Sequence, residues 1–224
     1  MVDDKEGLSK SGMRFFGKMS ASATHEIKNC LAIINESAGL LEDLSMMAEK
    51  KPPLSLARVN DISQRVTRQV NRADIVVRKL NRFSHGVDRK TQIANLEETV
   101  SFVLDLASRL IAMQGVVIKV TSPLSRIMVE TNIFYLENMI WKAIETACLA
   151  AKEKKQMVIS FGTDADTPSI WFSMDAVQND LMDDLFGSKE DRALMKHLDI
   201  SIKKNKDNNG FGLLLLKRNP VTPN

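Results

Sequence analysis

Two long stretches of helix-period hydrophobicity, parted by a proline pair, limit what the first third of this chain can become. In the first, Phe16, Ala23, Ile27, Cys30, Ile34, Leu41 and Leu44 recur at steps that fit about 3.6 residues per turn. In the second, Val59, Ile62, Val66, Val70, Ala73, Val77, Leu80 and Phe83 alternate steps of three and four, near the coiled-coil period. Between them stands Lys50-Lys51-Pro52-Pro53, where the second proline forces the first out of the helical region. The pattern predicts one helix over 13–48 and another over 54–85, each roughly 50 Å long at 1.5 Å per residue. Joined by a short turn, they make an antiparallel hairpin, which alone leaves half of each apolar stripe wet. Two copies closing a four-helix bundle bury both stripes, so a homodimer is expected.

Ala23 and Ile27 share the first stripe, and His25 lies two positions from each. Two helical steps turn roughly 200°. His25 is therefore expected to face away from the core, with Asn29 beside it four residues on. The plain reading is a solvent-facing polar residue on an amphipathic helix. The sharper one is a nucleophile toward phosphorus, because a neutral imidazole needs no deprotonation at physiological pH. His25-Glu26-Ile27-Lys28-Asn29 and the apolar residue after it resemble the phospho-acceptor box of bacterial sensor histidine kinases, in the subgroup reading His-Glu-Ile-x-Asn-Pro-Leu. Cys30 stands where that box has proline, which should leave the helix straight just past the acceptor.

A length of 224 residues admits one or two domains with a substantial core. The formal net charge of +3 is too small to argue for a nucleic-acid partner. No signal-type run opens the chain and no apolar run of ~18 residues occurs, so neither membrane spanning nor export is expected, and a cytoplasmic protein is. Cys30 and Cys148 both fall in apolar helical contexts and read as small buried hydrophobes rather than a disulfide. Residues 1–12 are polar and aperiodic, and are expected to be a frayed, disordered N-terminus ahead of a helical-hairpin domain over 13–88.

The pattern changes after a hinge at Gly86 and 88–92. Leu96–Met113 reads as helix, Val116–Val120 as strand and Thr131–Lys154 as helix. Met157–Phe161 and Ser169–Met174 alternate as half-buried strands, and a short helix follows over Lys189–His197. A closing hairpin joins Asp199–Lys204 to Phe211–Lys217 through Asp207-Asn208-Asn209-Gly210. Helices on one face of a mixed sheet make 92–224 a two-layer α/β domain, and the whole chain α+β.

That element order after an acceptor hairpin resembles the ATP-binding domain of the same kinases, so the likeness spans roughly 13–220. The family's chemical residues are missing. Its long helix carries two asparagines, one of which helps hold magnesium; Lys142 and Thr146 stand there, and Glu145 is one helical step out of place. Its Asp-x-Gly-x-Gly turn is replaced by Met174-Asp175-Ala176-Val177-Gln178-Asn179, where Asp175 fits only with a slip of one residue and both glycines are gone. Gly210-Phe211-Gly212-Leu213 looks like the family's glycine-rich box, but too few residues follow it, and it reads better as the opening of the last strand.

An acceptor helix without a working nucleotide site resembles dimeric histidine phosphotransferases. The resemblance implies that His25 takes a phosphoryl group from the aspartyl phosphate of a response-regulator receiver domain and passes it to another. Glu26 would orient the imidazole, Asn29 would flank it, and Ser22 and Lys28 would face the partner. No cofactor is expected on this chain, since the receiver would bring the magnesium and the acidic pocket. The basic residues of the second helix (Arg58, Arg65, Arg68, Arg72, Arg78, Lys79, Arg82) have two readings: pairs for Glu36, Glu42 and Asp43, or a dock for an acidic partner. Three further readings stay open. Asn29 could orient a water in a receiver phosphatase, Glu145 and Asp175 could support a residual autokinase, or the dimer could be a scaffold in which His25 is inert.

Overall fold

The computed structural model describes residues 2–49, 55–88, 90–150, 156–164, 167–174, 186–205 and 209–216. Two long helices lead, α1 over Val2–Glu49 and α2 over Leu56–Gly86. The Lys51-Pro52-Pro53 turn lies outside the described residues. By internal packing the chain divides into Met19–Phe83 and a second unit of Met1–Lys18 with Ser84–Asn224.

Met19–Phe83 is a helical hairpin. Glu36 of α1 pairs with Arg65 of α2 at 2.9 Å and Glu26 with Arg72 at 3.9 Å. Moving forward along α1 from Glu26 to Glu36 thus moves backward along α2, as antiparallel packing requires. The buried stripe of α1 runs through Met19, Ser22, Ala23, Cys30 and Ser37, and Ser37 is satisfied by donating to the Ile33 carbonyl at 2.7 Å. Ala23 and Cys30 are buried and Ile27, Ile34, Leu41 and Leu44 half-buried, as the periodicity predicts, and the exception is Phe16. Phe16 is exposed, and Phe15 is buried instead. In α2, Phe83 is buried and Val59, Ile62, Val66, Ala73 and Leu80 are half-buried as expected, but Val70 and Val77 are exposed while Val76 is buried. Either set satisfies a three–four rhythm, and only the neighbouring helix chooses between them.

The other unit is built on a five-stranded sheet. Its strands are β2 (Val117–Val120), β4 (Gln156–Asp164), β5 (Thr167–Met174), β6 (Ile200–Lys204) and β7 (Gly210–Leu215). They lie in the order β2-β4-β5-β7-β6, with β2 parallel to β4 and the other pairs antiparallel. A two-stranded sheet of β1 (Gln92–Asn95) and β3 (Met128–Thr131) stands apart, and the sequence reading found neither strand. The helices are α3 (Leu96–Leu106), α4 (Ser108–Gln114), α5 (Ile133–Ala150) and α6 (Lys189–Leu198). The single helix expected over Leu96–Met113 is broken at Ala107, whose ψ of 8° leaves the helical range. Asn95 starts α3 by accepting the Glu97 N–H at 2.9 Å, and Ser188 starts α6 by accepting that of Asp191 at 3.0 Å. Cys148 on α5, Ile159, Ile170, Phe172 and Phe211 form part of the core between helices and sheet, and Cys30 is buried in α1.

Residues 2–12 overturn the expectation of a frayed terminus. They are the first turns of α1, and they pack within the sheet-bearing unit. Gly7 comes so close to α6 that an added Cβ would lie 3.3 Å from that of Ala193, and at Gly12 it would lie 3.1 Å from the Phe134 ring. Ser11 accepts from Asn138 at 2.9 Å, Asp4 from Lys196 at 2.7 Å, and Lys10 pairs with Glu190 at 3.0 Å. A polar stretch looks disordered until small residues let it lie flat on a partner.

The two kinds of glycine in α1 should respond oppositely. Gly12→Leu must push Phe134 and Tyr135 aside, and is expected to cost about 1–3 kcal/mol. Gly39 meets nothing within 4 Å, so Gly39→Ala should gain about 0.5–1 kcal/mol through lost backbone freedom in the unfolded chain. Urea unfolding followed by circular dichroism measures both.

Candidate functional site

A helix that buries one side fixes the azimuth of every residue on the other. Met19, Ala23 and Cys30 turn inward, which leaves Thr24, His25, Lys28 and Asn29 exposed on α1. His25 and Asn29 are one turn apart on the same face, as the spacing predicts. Among the described residues no hydrogen bond or ion pair holds the imidazole. Its ring is open to solvent, the access an attacking nitrogen needs.

Two expected site residues sit elsewhere. Ser22, expected to face a partner, is only 2% exposed, and its hydroxyl has no hydrogen-bond partner among the described residues. Three helical steps from His25 carry it over the edge of the buried stripe. Glu26, expected to orient the imidazole, is one step of roughly 100° from it and falls on the side facing α2. Its side chain is 15% exposed, and its carboxylate lies 3.9 Å from the Arg72 guanidinium. Sequence reasoning missed that pairing, because it depends on the register between two helices. The basic run on α2 otherwise behaves partly as the plainer reading expects: Arg65 pairs with Glu36 across the hairpin, and Arg78 pairs with Asp74 within α2.

The second constellation lies in the sheet-bearing unit, where the first turns of α1 meet α5 and α6. Lys18 ion-pairs with Glu145 and stands 5.2 Å from the Trp141 ring centroid. Lys142 pairs at 3.5 Å with Asp191, which is 5% exposed, and Arg14 reaches Glu190 at 3.4 Å. These are the α5 positions where a kinase-like nucleotide site would need metal-holding side chains. The residues present do not fit that group. Lys142 is a cation where a cation would be bound, Glu145 is already neutralised, and the Thr146 side chain is buried within the helix layer. The spacing of Gly7, Ser11 and Phe15, one every four residues, was the signal that α1 docks here.

The glycine-rich Gly210-Phe211-Gly212 segment is the start of β7, paired on both sides. A Cβ at Gly212 would meet the Trp171 ring at 2.8 Å, and one at Gly210 would meet the Phe172 carbonyl oxygen at 2.0 Å. Close strand packing accounts for both glycines. Asp175 and the Asp207-Asn208 turn lie outside the described residues. Among the described residues no helix is long and apolar enough to cross a membrane, and no cluster of three or more His, Cys, Asp or Glu side chains could hold a metal ion.

No protein-family model matches this chain, and no curated protein matches it. The solved structures this chain matches include histidine kinases. Acinetobacter baumannii histidine kinase AdeS is 15% identical over 85% of this chain and 96% of its own, with a TM-score of 0.46. The catalytic domain of histidine kinase ThkA is 15% identical over 56% of this chain and 93% of its own, at 0.43. The structure of histidine kinase ThkA in complex with response regulator protein TrrA is 17% identical over 95% of this chain and 65% of that one, at 0.42.

Acid should loosen the α1 start. The hydrogen bond from Lys10, with the Lys10 and Arg14 charges, holds the Glu190 carboxyl below its usual range, and Lys196 does the same for Asp4. A carboxyl with a lowered folded-state pKa stabilises above its unfolded pKa, and the contribution disappears as pH falls through the folded value. The melting temperature should therefore drop between about pH 5 and pH 3. Lys10→Ala should make that drop shallower when melting is followed across the same range.

Proposed function

We propose that this chain is a two-component signalling protein of the relay type, in which His25 carries a phosphoryl group between receiver-domain aspartates. The observation that carries this reading is the exposed imidazole of His25, unbonded among the described residues and set beside Asn29 on a continuous helix. An imidazole nitrogen attacks the phosphorus of the aspartyl phosphate. The N–P bond forms as the acyl-phosphate P–O bond breaks, and the aspartate carboxylate leaves with the electron pair. The reverse step delivers the group to a second receiver. Because the transition state is loose and in line, positioning and charge neutralisation do most of the work. Lys28, exposed on the same helix, adds a cation near the transferring group.

Two further observations support a relay over a kinase. Lys142 and Glu145 are engaged in ion pairs of their own, and β7 uses its glycines for strand packing. The receiver then supplies both the phosphoryl group and the magnesium. A homodimer follows from the apolar side chains left in water on the hairpin, among them Leu31, Leu40, Val70, Ile75 and Val77. The double substitution Val70→Glu with Val77→Glu should shift the sedimentation coefficient to that of a monomer while the circular dichroism stays helical.

The relay is tested by acid-labile phosphate on His25. A phosphorylated receiver should label the chain, ATP with magnesium should not, and His25→Gln should abolish the label while leaving the fold intact. Labelling from ATP alone would make the chain a kinase. The exposed Asn29 favours one second reading, a receiver phosphatase in which its carboxamide orients water. Under that reading the receiver loses phosphate without labelling His25, and Asn29→Ala stops the loss.

A further inference from the structure

Glu26 and His25 are chain neighbours with opposite surroundings, since the imidazole stands in solvent and the carboxylate is 15% exposed against α2. A carboxylate so nearly buried needs a counter-charge, and Arg72 supplies it from the facing helix at 3.9 Å. Arg72 itself remains 62% exposed, so the rest of its fork of N–H donors stays at the edge of the hairpin. The geometry points to Arg72 as a positioning residue for transfer at His25, acting through Glu26. This rests on the reading of His25 as the phospho-acceptor.

The argument is electrostatic. A phosphoryl group arriving on His25 brings negative charge to within one residue of Glu26. An unpaired carboxylate there would repel it, and would also be free to swing toward the imidazole. Pairing with Arg72 offsets that charge and draws the carboxylate toward α2, away from the attacking nitrogen. Arg72 therefore matters because Glu26 is charged. Where Glu26 is neutral, Arg72 should be dispensable. That dependence separates a role through Glu26 from direct contact between Arg72 and the phosphoryl group.

The test uses the full chain and phosphoramidate, a donor that needs no partner protein. An imidazole nitrogen of His25 forms the N–P bond, the donor's own P–N bond breaks, and ammonia leaves. Initial rates of acid-labile labelling are compared at a temperature where circular dichroism shows every variant folded. Arg72→Ala is expected to label about tenfold more slowly, the scale of one lost charge interaction near a protein surface. Arg72→Lys keeps the charge and should stay within about threefold of the parent. In a Glu26→Gln background, Arg72→Ala should change the rate by less than about twofold, the additivity limit. If Arg72→Ala unfolds the chain, Arg72→Gln in both backgrounds makes the same comparison. An unchanged rate in Arg72→Ala overturns the proposal, as does an equal loss with and without the Glu26 charge. A folded parent that takes no label at His25, while free imidazole does, overturns the acceptor reading as well.

Discussion

The position of His25 depends on one constraint: α1 can bury only one side. Met19, Ala23 and Cys30 commit that side to the interior, and helical geometry then sends His25 outward with Asn29 above it. Nothing else has to grip the imidazole. In the relay proposed above, a rigid helix in water suits His25 better than a pocket, because the partner can bring the electrophile, the metal and the enclosing walls. The same constraint turns Glu26 inward, so adjacent residues of one motif have different physical jobs.

Burying Glu26 has a consequence for α2. A carboxylate held at 15% exposure is tolerable only with a partner, and Arg72 is set across the hairpin from it. Arg65 and Glu36 repeat the arrangement with a far more exposed acid, Glu36 at 60%. The exposed pair contributes little to stability. In the proposed relay, the Glu26–Arg72 pair shapes the field beside His25.

In the sheet-bearing unit, charge has been rearranged rather than removed. Asp191 is nearly buried and satisfied by Lys142, while Glu145 is satisfied by Lys18 and Glu190 by Lys10 and Arg14. Each acid that could have met a metal or a phosphate-bound cation meets a side-chain ammonium or guanidinium instead. Gly7 and Gly12 make the arrangement possible, because a larger residue at either position would lift α1 from α6 and α5.

The sequence by itself determined the two long helices, the outward azimuth of His25 and Asn29, the strand–helix alternation after residue 92, and the strand placement of Gly210 and Gly212. These follow from local rules: periodicity, proline geometry and glycine sterics act within a few residues. Tertiary structure decided the rest. Whether Phe15 or Phe16 is buried, where Ser22 lies, which basic residue pairs with Glu26, and that residues 2–12 are an ordered part of α1 all depend on what stands opposite. So does the pairing of β1 with β3, which joins segments more than thirty residues apart. A helix period repeats closely enough that neighbouring stripes are almost equivalent in sequence. Only contact with a second element, through a buried ring, a glycine flat against a helix or an ion pair across a hairpin, selects one of them.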